Sequence, residues 1–312
     1  MSTESAVSPG VHSAPRELVF YAPGLRTFKT SEYAAHDAGE FVSISVTGDA
    51  CALGCDHCDT AVLRGMTALP RARGSLFELC AEAHARGARG VLVSGGCDRT
   101  GRVPLLAHAD DLRRARSELG LTIRVHPGLP DEATCKALAA IGIDGAMVDI
   151  IGHADTIRSV YHLDASVADY ESALERLGRH GVPAVPHIVL GLHYGTMLGE
   201  WTALDIVARH PRKLLVLVVL MPLSGTGMAL VQPPAPDALG AFFRLAREKL
   251  PDTRIVLGCA RPMGRTKLAI DRHAIDAGLD GVAYPAEGTV TYAREQGHSA
   301  RFINACCGVG WP

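Results

Sequence analysis

Eight apolar runs of strand length alternate with eight helical patterns along this chain, and that alternation restricts the fold more than any other feature. The runs are Glu40 to Thr47, Gly90 to Ser94, Leu121 to Val125, Gly145 to Ile150, Ala184 to Leu190, Lys213 to Leu220, Thr253 to Leu257 and Gly281 to Tyr284. Val, Ile and Leu fill them with little polar alternation, as in strands of a parallel sheet buried on both faces. The helical patterns cover Ser75 to Arg86, Asp110 to Leu119, Asp131 to Ile141, Ser166 to His180, Gly199 to Arg209, Asp237 to Leu250, Thr266 to Ala277 and Glu287 to Gln296. The first four open on Ser or Asp and stop at Gly87, Gly120, Gly142 and Gly181, which are the residues expected at helix ends. Eight such units without an internal linker predict an α/β chain with one (β/α)8 TIM-type barrel domain over 39–297. An open six-unit barrel with an appended C-terminal layer is the alternative. Residues 1–38 read as a flexible N-terminal extension and 298–312 as a Cys-containing tail.

Composition narrows the function classes. A chain of 312 residues with net charge −2 has no electrostatic footprint for nucleic acid, and no basic run suggests a membrane surface. The longest apolar run, Leu214 to Met221, falls far short of the roughly 20 residues that span a bilayer. The first residues lack an apolar signal core, so a cytoplasmic location is expected. Nine cysteines in a long, regular chain point to metal ligands, reactive thiols or small core residues rather than to a disulfide framework. Cys80 and Cys135, inside helical patterns, read as core.

In a parallel barrel, chemistry gathers at the C-terminal ends of the strands. Cys51-Ala-Leu-Gly-Cys55-Asp-His-Cys58 directly follows the first barrel run. Three thiolates within eight residues can converge on one soft metal centre, and Gly54 lets the loop turn. Three protein ligands leave one iron of a cubane open to a substrate or cofactor. A closed zinc site, the competing reading, wants four ligands, and His57 directly precedes Cys58 and would struggle to serve as the fourth.

The Cys loop resembles the C-x3-C-x2-C signature of the radical S-adenosylmethionine (SAM) superfamily. That resemblance implies a 4Fe-4S cluster on Cys51, Cys55 and Cys58 and reductive cleavage of SAM to a 5′-deoxyadenosyl radical. It gives His57 a place against the adenine. Ser94-Gly95-Gly96 resembles the element whose backbone binds the methionine amine, with Cys97 where a Glu is usual. Val189 and Gly191, in His187-Ile188-Val189-Leu190-Gly191, resemble the adenine-binding strand, and Asp149, at the end of the fourth strand, is a candidate for a ribose hydroxyl of SAM or for a helix cap. A reductant such as flavodoxin or ferredoxin is implied as a partner.

Cys97 and Cys259 each fall just past an apolar strand, and Cys306-Cys307 lies in the tail. Together they can complete an auxiliary iron–sulfur cluster, with Arg261 as an unusual ligand or charge partner. The alternative reading makes them rim and tail thiols. The tail must climb back to the rim for its thiols to take part. From Glu40 onward the chain resembles the biotin-synthase-like branch and, through Cys97, His126, His187, His193, Cys259, Arg265 and Cys306-Cys307, a component of the two-subunit lipoyl synthases. This implies a sulfurtransferase acting on an octanoyl chain, with a second synthase subunit and an octanoylated carrier protein as partners. His126, His187 and His193 read first as structural histidines, and Arg265 as a carboxylate or cluster-charge partner. Two other readings stay open. One is radical SAM dehydrogenation, rearrangement or biotin-synthase-like chemistry on a small molecule. The other is an iron–sulfur electron-transfer or scaffold module that makes no 5′-deoxyadenosine.

Overall fold

The computed structural model describes residues 15–22, 28–33 and 39–309. The eight expected strands are β2 (Phe41–Ser45), β4 (Gly90–Ser94), β5 (Thr122–Val125), β6 (Gly145–Asp149), β7 (Ala184–Leu190), β8 (Leu214–Val219), β9 (Arg254–Leu257) and β10 (Gly281–Ala283). They lie side by side in chain order, and all their pairings are parallel. Consecutive residues of β8 show why these runs are apolar throughout. Val216 faces the barrel interior with Val185 and Val256, while Leu215 and Leu217 face the helical layer. Both faces are covered, so neither needs polar residues.

The helices α1 (Leu76–Ala85), α2 (Ala109–Leu119), α3 (Glu132–Ile141), α5 (Val167–Arg179), α6 (Glu200–Arg209), α7 (Pro236–Lys249), α8 (Arg265–Asp276) and α9 (Thr289–Glu295) fall where the patterns put them. A short helix, α4 (Ala154–Val160), joins them after β6. Ser75 and Ser166 close reciprocal capping boxes with Glu78 and Asp169, and the Asp131 carboxylate accepts from the Thr134 N–H. Each such cap is worth about 0.5–2 kcal/mol. Gly120 and Gly142 end α2 and α3 in the left-handed conformation. Cys80 and Cys135 are fully buried in the helical layer, as expected.

Three further strands alter the edges. β3 (Thr67–Ala68) extends the sheet beyond β2, while β1 (Glu17–Tyr21) pairs with β10 and β11 (Ser299–Ile303) pairs with β1. All eight βα units are present, but β10 meets β1 instead of β2, and the curled sheet stays open between β11 and β3. Residues 17–21, expected within an N-terminal extension, are thus part of the sheet. Residues 1–14, 23–27 and 34–38 of that extension, and 310–312 of the tail, lie outside the described residues.

The interior spans the opening. Val19 and Tyr21 of β1 and Phe41 of β2 share one buried cluster with Met147, Val216 and Val256. Because β11 runs parallel to the barrel strands, the chain leaves it at the rim that carries the other strand C-termini. It then turns inward and buries Ala305, Cys307 and Val309 in the same cluster. This is how the tail climbs back to the rim.

Candidate active site

The Cys loop is fastened to the rim on two sides. The Ala52 N–H donates to the Cys97 carbonyl (2.8 Å), the Asp56 N–H to the Val160 carbonyl (3.0 Å), and the Met228 N–H to the Asp56 carbonyl (3.1 Å). Within the loop, Cys58 and Asp59 N–H groups both donate to the Cys55 carbonyl. Gly54 sits at φ +60°, where a β-carbon would be strained. Beneath the loop Gly96 is obligatory for another reason: a β-carbon there would stand 2.0 Å from the Ala50 carbonyl and 2.6 Å from the Cys51 backbone. Its N–H donates to the Thr47 hydroxyl (2.7 Å), which fixes the end of β4 against the loop.

Cys51, Cys55 and Cys58 line one cavity of about 360 Å³ with His57, Ser94, Gly95, Gly96, Cys97 and Asp149. Burial, then the neighbouring Cys51, Cys58 and Cys97, push the Cys55 thiol up, and burial raises Cys58. Deep in the cavity wall, register sets Asp149 of β6 beside His187 of β7. The Asp149 carboxylate accepts from the Tyr161 hydroxyl (3.2 Å) and lies 3.8 Å from His126 Nε2. Burial alone would raise its pKa, but His126, then His187 and His57, outweigh it and hold it at about 2. Burial likewise opposes charge on His126, and Asp149 overrides it, so that imidazole is raised above the ordinary value. His187 has no such bond to the carboxylate. Burial lowers it to about 4, and its Nδ1 donates to the Val185 carbonyl (3.0 Å). The His57 ring packs 5.0 Å from Tyr161, and its Nδ1 is buried without a partner among the described residues.

Residues 45–198 match the family model of the radical SAM superfamily. Residues 45–198 thus form a radical SAM domain. Among solved structures the fold is similar to methylornithine synthase PylB, at 13% identity, a TM-score of 0.55 and coverage of 85% of this chain and 84% of that one. It is also similar to the FeFe-hydrogenase maturase HydG from Carboxydothermus hydrogenoformans, at 15% identity, a TM-score of 0.59 and coverage of 93% and 69%. Against Streptococcus suis SuiB the identity is 13%, the TM-score 0.52 and the coverage 74% of this chain and 51% of SuiB, about half of that protein's length. No curated protein matches by sequence.

The residues of the radical SAM loop fit a cubane. Among the described residues no three His, Cys, Asp or Glu side chains are drawn together around one ion. A cubane takes one thiolate per iron, so its ligands need only face a common cavity, as Cys51, Cys55 and Cys58 do. The unpartnered His57 Nδ1 and the Asp149 carboxylate offer polar contacts on the same wall.

Other residues singled out from the sequence lie elsewhere. Val189 packs in the apolar cluster that includes Leu53 and Cys55, without lining the cavity. The Gly191 N–H is taken by buried Glu200 (2.7 Å). His193 bonds Thr156 beside that turn (3.2 Å). Cys97 faces the radical SAM loop, apart from Cys259, Cys306 and Cys307 in the interior. The Cys306 thiol is lowered to about 7, first by its bond with Cys307 and against burial, with the Gly308 N–H and Arg124 assisting. Cys307 is raised in turn by Cys306 and by burial. Arg261 corrects the expectation made for it. All five guanidinium N–H bonds are used, two on Asp271 and three on the carbonyls of Gly258, Ala283 and Tyr284, and both members of the ion pair are fully buried. It braces α8 and β10 and has nothing left for a cluster. Tyr161 and Tyr170, which line the cavity, were not singled out from sequence. Tyr161 directly follows α4, a helix too short to stand out by periodicity.

Proposed function

We propose that this radical SAM enzyme inserts sulfur at unactivated carbons of an acyl chain, as a lipoyl-synthase-like sulfurtransferase acting on a carrier-bound octanoyl group. Once bound, the loop cluster supplies the electron that cleaves SAM to the hydrogen-abstracting radical, and an auxiliary cluster supplies the sulfur. The gathering of Cys259, Cys306 and Cys307 at the inner end of the barrel carries the reading. The cavity wall supports it. Leu53, Val62, Leu63, Met66, Leu129 and Leu163 line the cavity and, among the described residues, no Lys or Arg does, which suits an uncharged alkyl chain better than a phosphorylated substrate. In this reading Asp149, Tyr161 and His57 would orient SAM, and the apolar wall would keep water from the radical.

The test is iron content after anaerobic reconstitution of wild type and of a Cys51/Cys55/Cys58→Ala variant, followed by incubation with SAM, reductant and octanoylated carrier protein. The proposal expects about eight irons in wild type, about four in the variant, and a product heavier by sulfur. About four and none, with 5′-deoxyadenosine formed and no sulfur gained, favours a second reading. Here the same radical serves dehydrogenation or rearrangement, and the packing of Cys307 and Val309 against Tyr21 and Val256 is simply barrel filling.

A further inference from the structure

We propose that Cys97 is a fourth thiolate for the cluster held by Cys51, Cys55 and Cys58, capping the iron that the loop leaves open until SAM displaces it. The inference rests on the cluster assignment above and goes beyond it, because it moves Cys97 out of the auxiliary set and makes it a competitor of the cofactor.

Placement carries the argument. Cys97 is the third residue past β4, in the rim segment whose backbone is hydrogen-bonded to the Cys loop. Its carbonyl accepts from Ala52, and the preceding Gly96 is pressed against Cys51 so closely that no β-carbon fits. Cys97 therefore stands beside the loop at the rim, and all four cysteines line that one space. The Cys97 thiol forms no hydrogen bond among the described residues. Gly128, with no β-carbon, leaves its sulfur room at the wall.

A thiol must lose its proton before it can hold iron, and metal binding is what releases that proton. Capping would form one iron–sulfur bond and release the thiol proton to solvent; displacement by SAM would break that bond and return a proton to the Cys97 sulfur, with no electron moved in either direction.

A three-Cys cubane without its cofactor loses the open iron on mild oxidation, whereas a four-Cys cubane keeps it. Reconstituted wild type, Cys97→Ala and Cys97→Ser are therefore briefly oxidised without SAM, then assayed for iron and for the paramagnetic three-iron signal. SAM affinity is measured by equilibrium dialysis. The proposal expects both variants to lose about one iron per chain more than wild type, with a correspondingly larger three-iron signal, and both to bind SAM severalfold more tightly. Equal iron loss in all three proteins overturns it. So does a loss of about four irons on reconstituting the variants, which returns Cys97 to an auxiliary cluster. Failure of wild type to bind iron at all instead removes the cluster assignment beneath it.

Discussion

Two positions separate Arg261 from Cys259, and sequence proximity made the arginine look like part of the same site. Its guanidinium is held instead by Asp271, ten residues on, and by carbonyls at the ends of β9 and β10. Nothing local announces such a partner, because the pairing exists only once α8 packs back on the sheet. A fully buried ion pair contributes little against a well-packed apolar alternative, but breaking it leaves a charge stranded. Asp271→Ala should therefore cost about 3–5 kcal/mol in urea unfolding of the iron-free protein. The remaining folded fraction should load iron like wild type, since the Arg261 guanidinium bonds are taken by Asp271 and backbone carbonyls. A loss below about 1 kcal/mol would mean that the pair is solvated and that Arg261 is free for other work.

Helix ends were the most legible elements, since their signals are local. Ser75, Asp131 and Ser166 cap in their own first turns, and Gly120 and Gly142 are required by a positive φ. β1 and β11 carried no comparable signal. Glu17–Tyr21 is one short apolar run among unpatterned residues, and the strands that accept it lie more than 250 positions away. Its status is testable by packing. Phe20 is fully buried on the helical side of the sheet, with its ring 5.7 Å from that of Phe302. Phe20→Ala should destabilise the protein by about 3–5 kcal/mol, read as a shifted urea midpoint with an unchanged slope. A change within about 0.5 kcal/mol would return β1 to the status of an appendage.

At the scale of the whole molecule, the Cys loop was legible because its ligands are contiguous, whereas the partition of the other thiols was not. A sequence gives the order of the strand ends around a rim but not which side chain turns toward the loop and which toward the interior. The same holds for the half-buried acid and imidazoles, whose behaviour follows from their grouping and predicts how stability varies with pH. His187 is lowered to about 4 in the folded protein. As pH falls from about 6.5, the unfolded chain takes a proton that the native site refuses, so stability declines until about pH 4. Asp149, held at about 2, extends the loss below about pH 4, because its stabilising charge disappears as pH falls through that value. His126 acts in the opposite sense. Raised by Asp149, it contributes stability fully present below about pH 6.5 that is lost as pH rises through its folded value. Denaturant unfolding of the iron-free protein across this range should thus show a different histidine behind each limb. His187→Gln should flatten the decline between about pH 6.5 and 4 and leave the alkaline side as it was. His126→Gln should remove the alkaline loss and lower stability on the acid side, where Asp149 loses its charged partner. Identical pH profiles for wild type and His187→Gln would show that this imidazole titrates freely, and hence that the cavity floor is open to water.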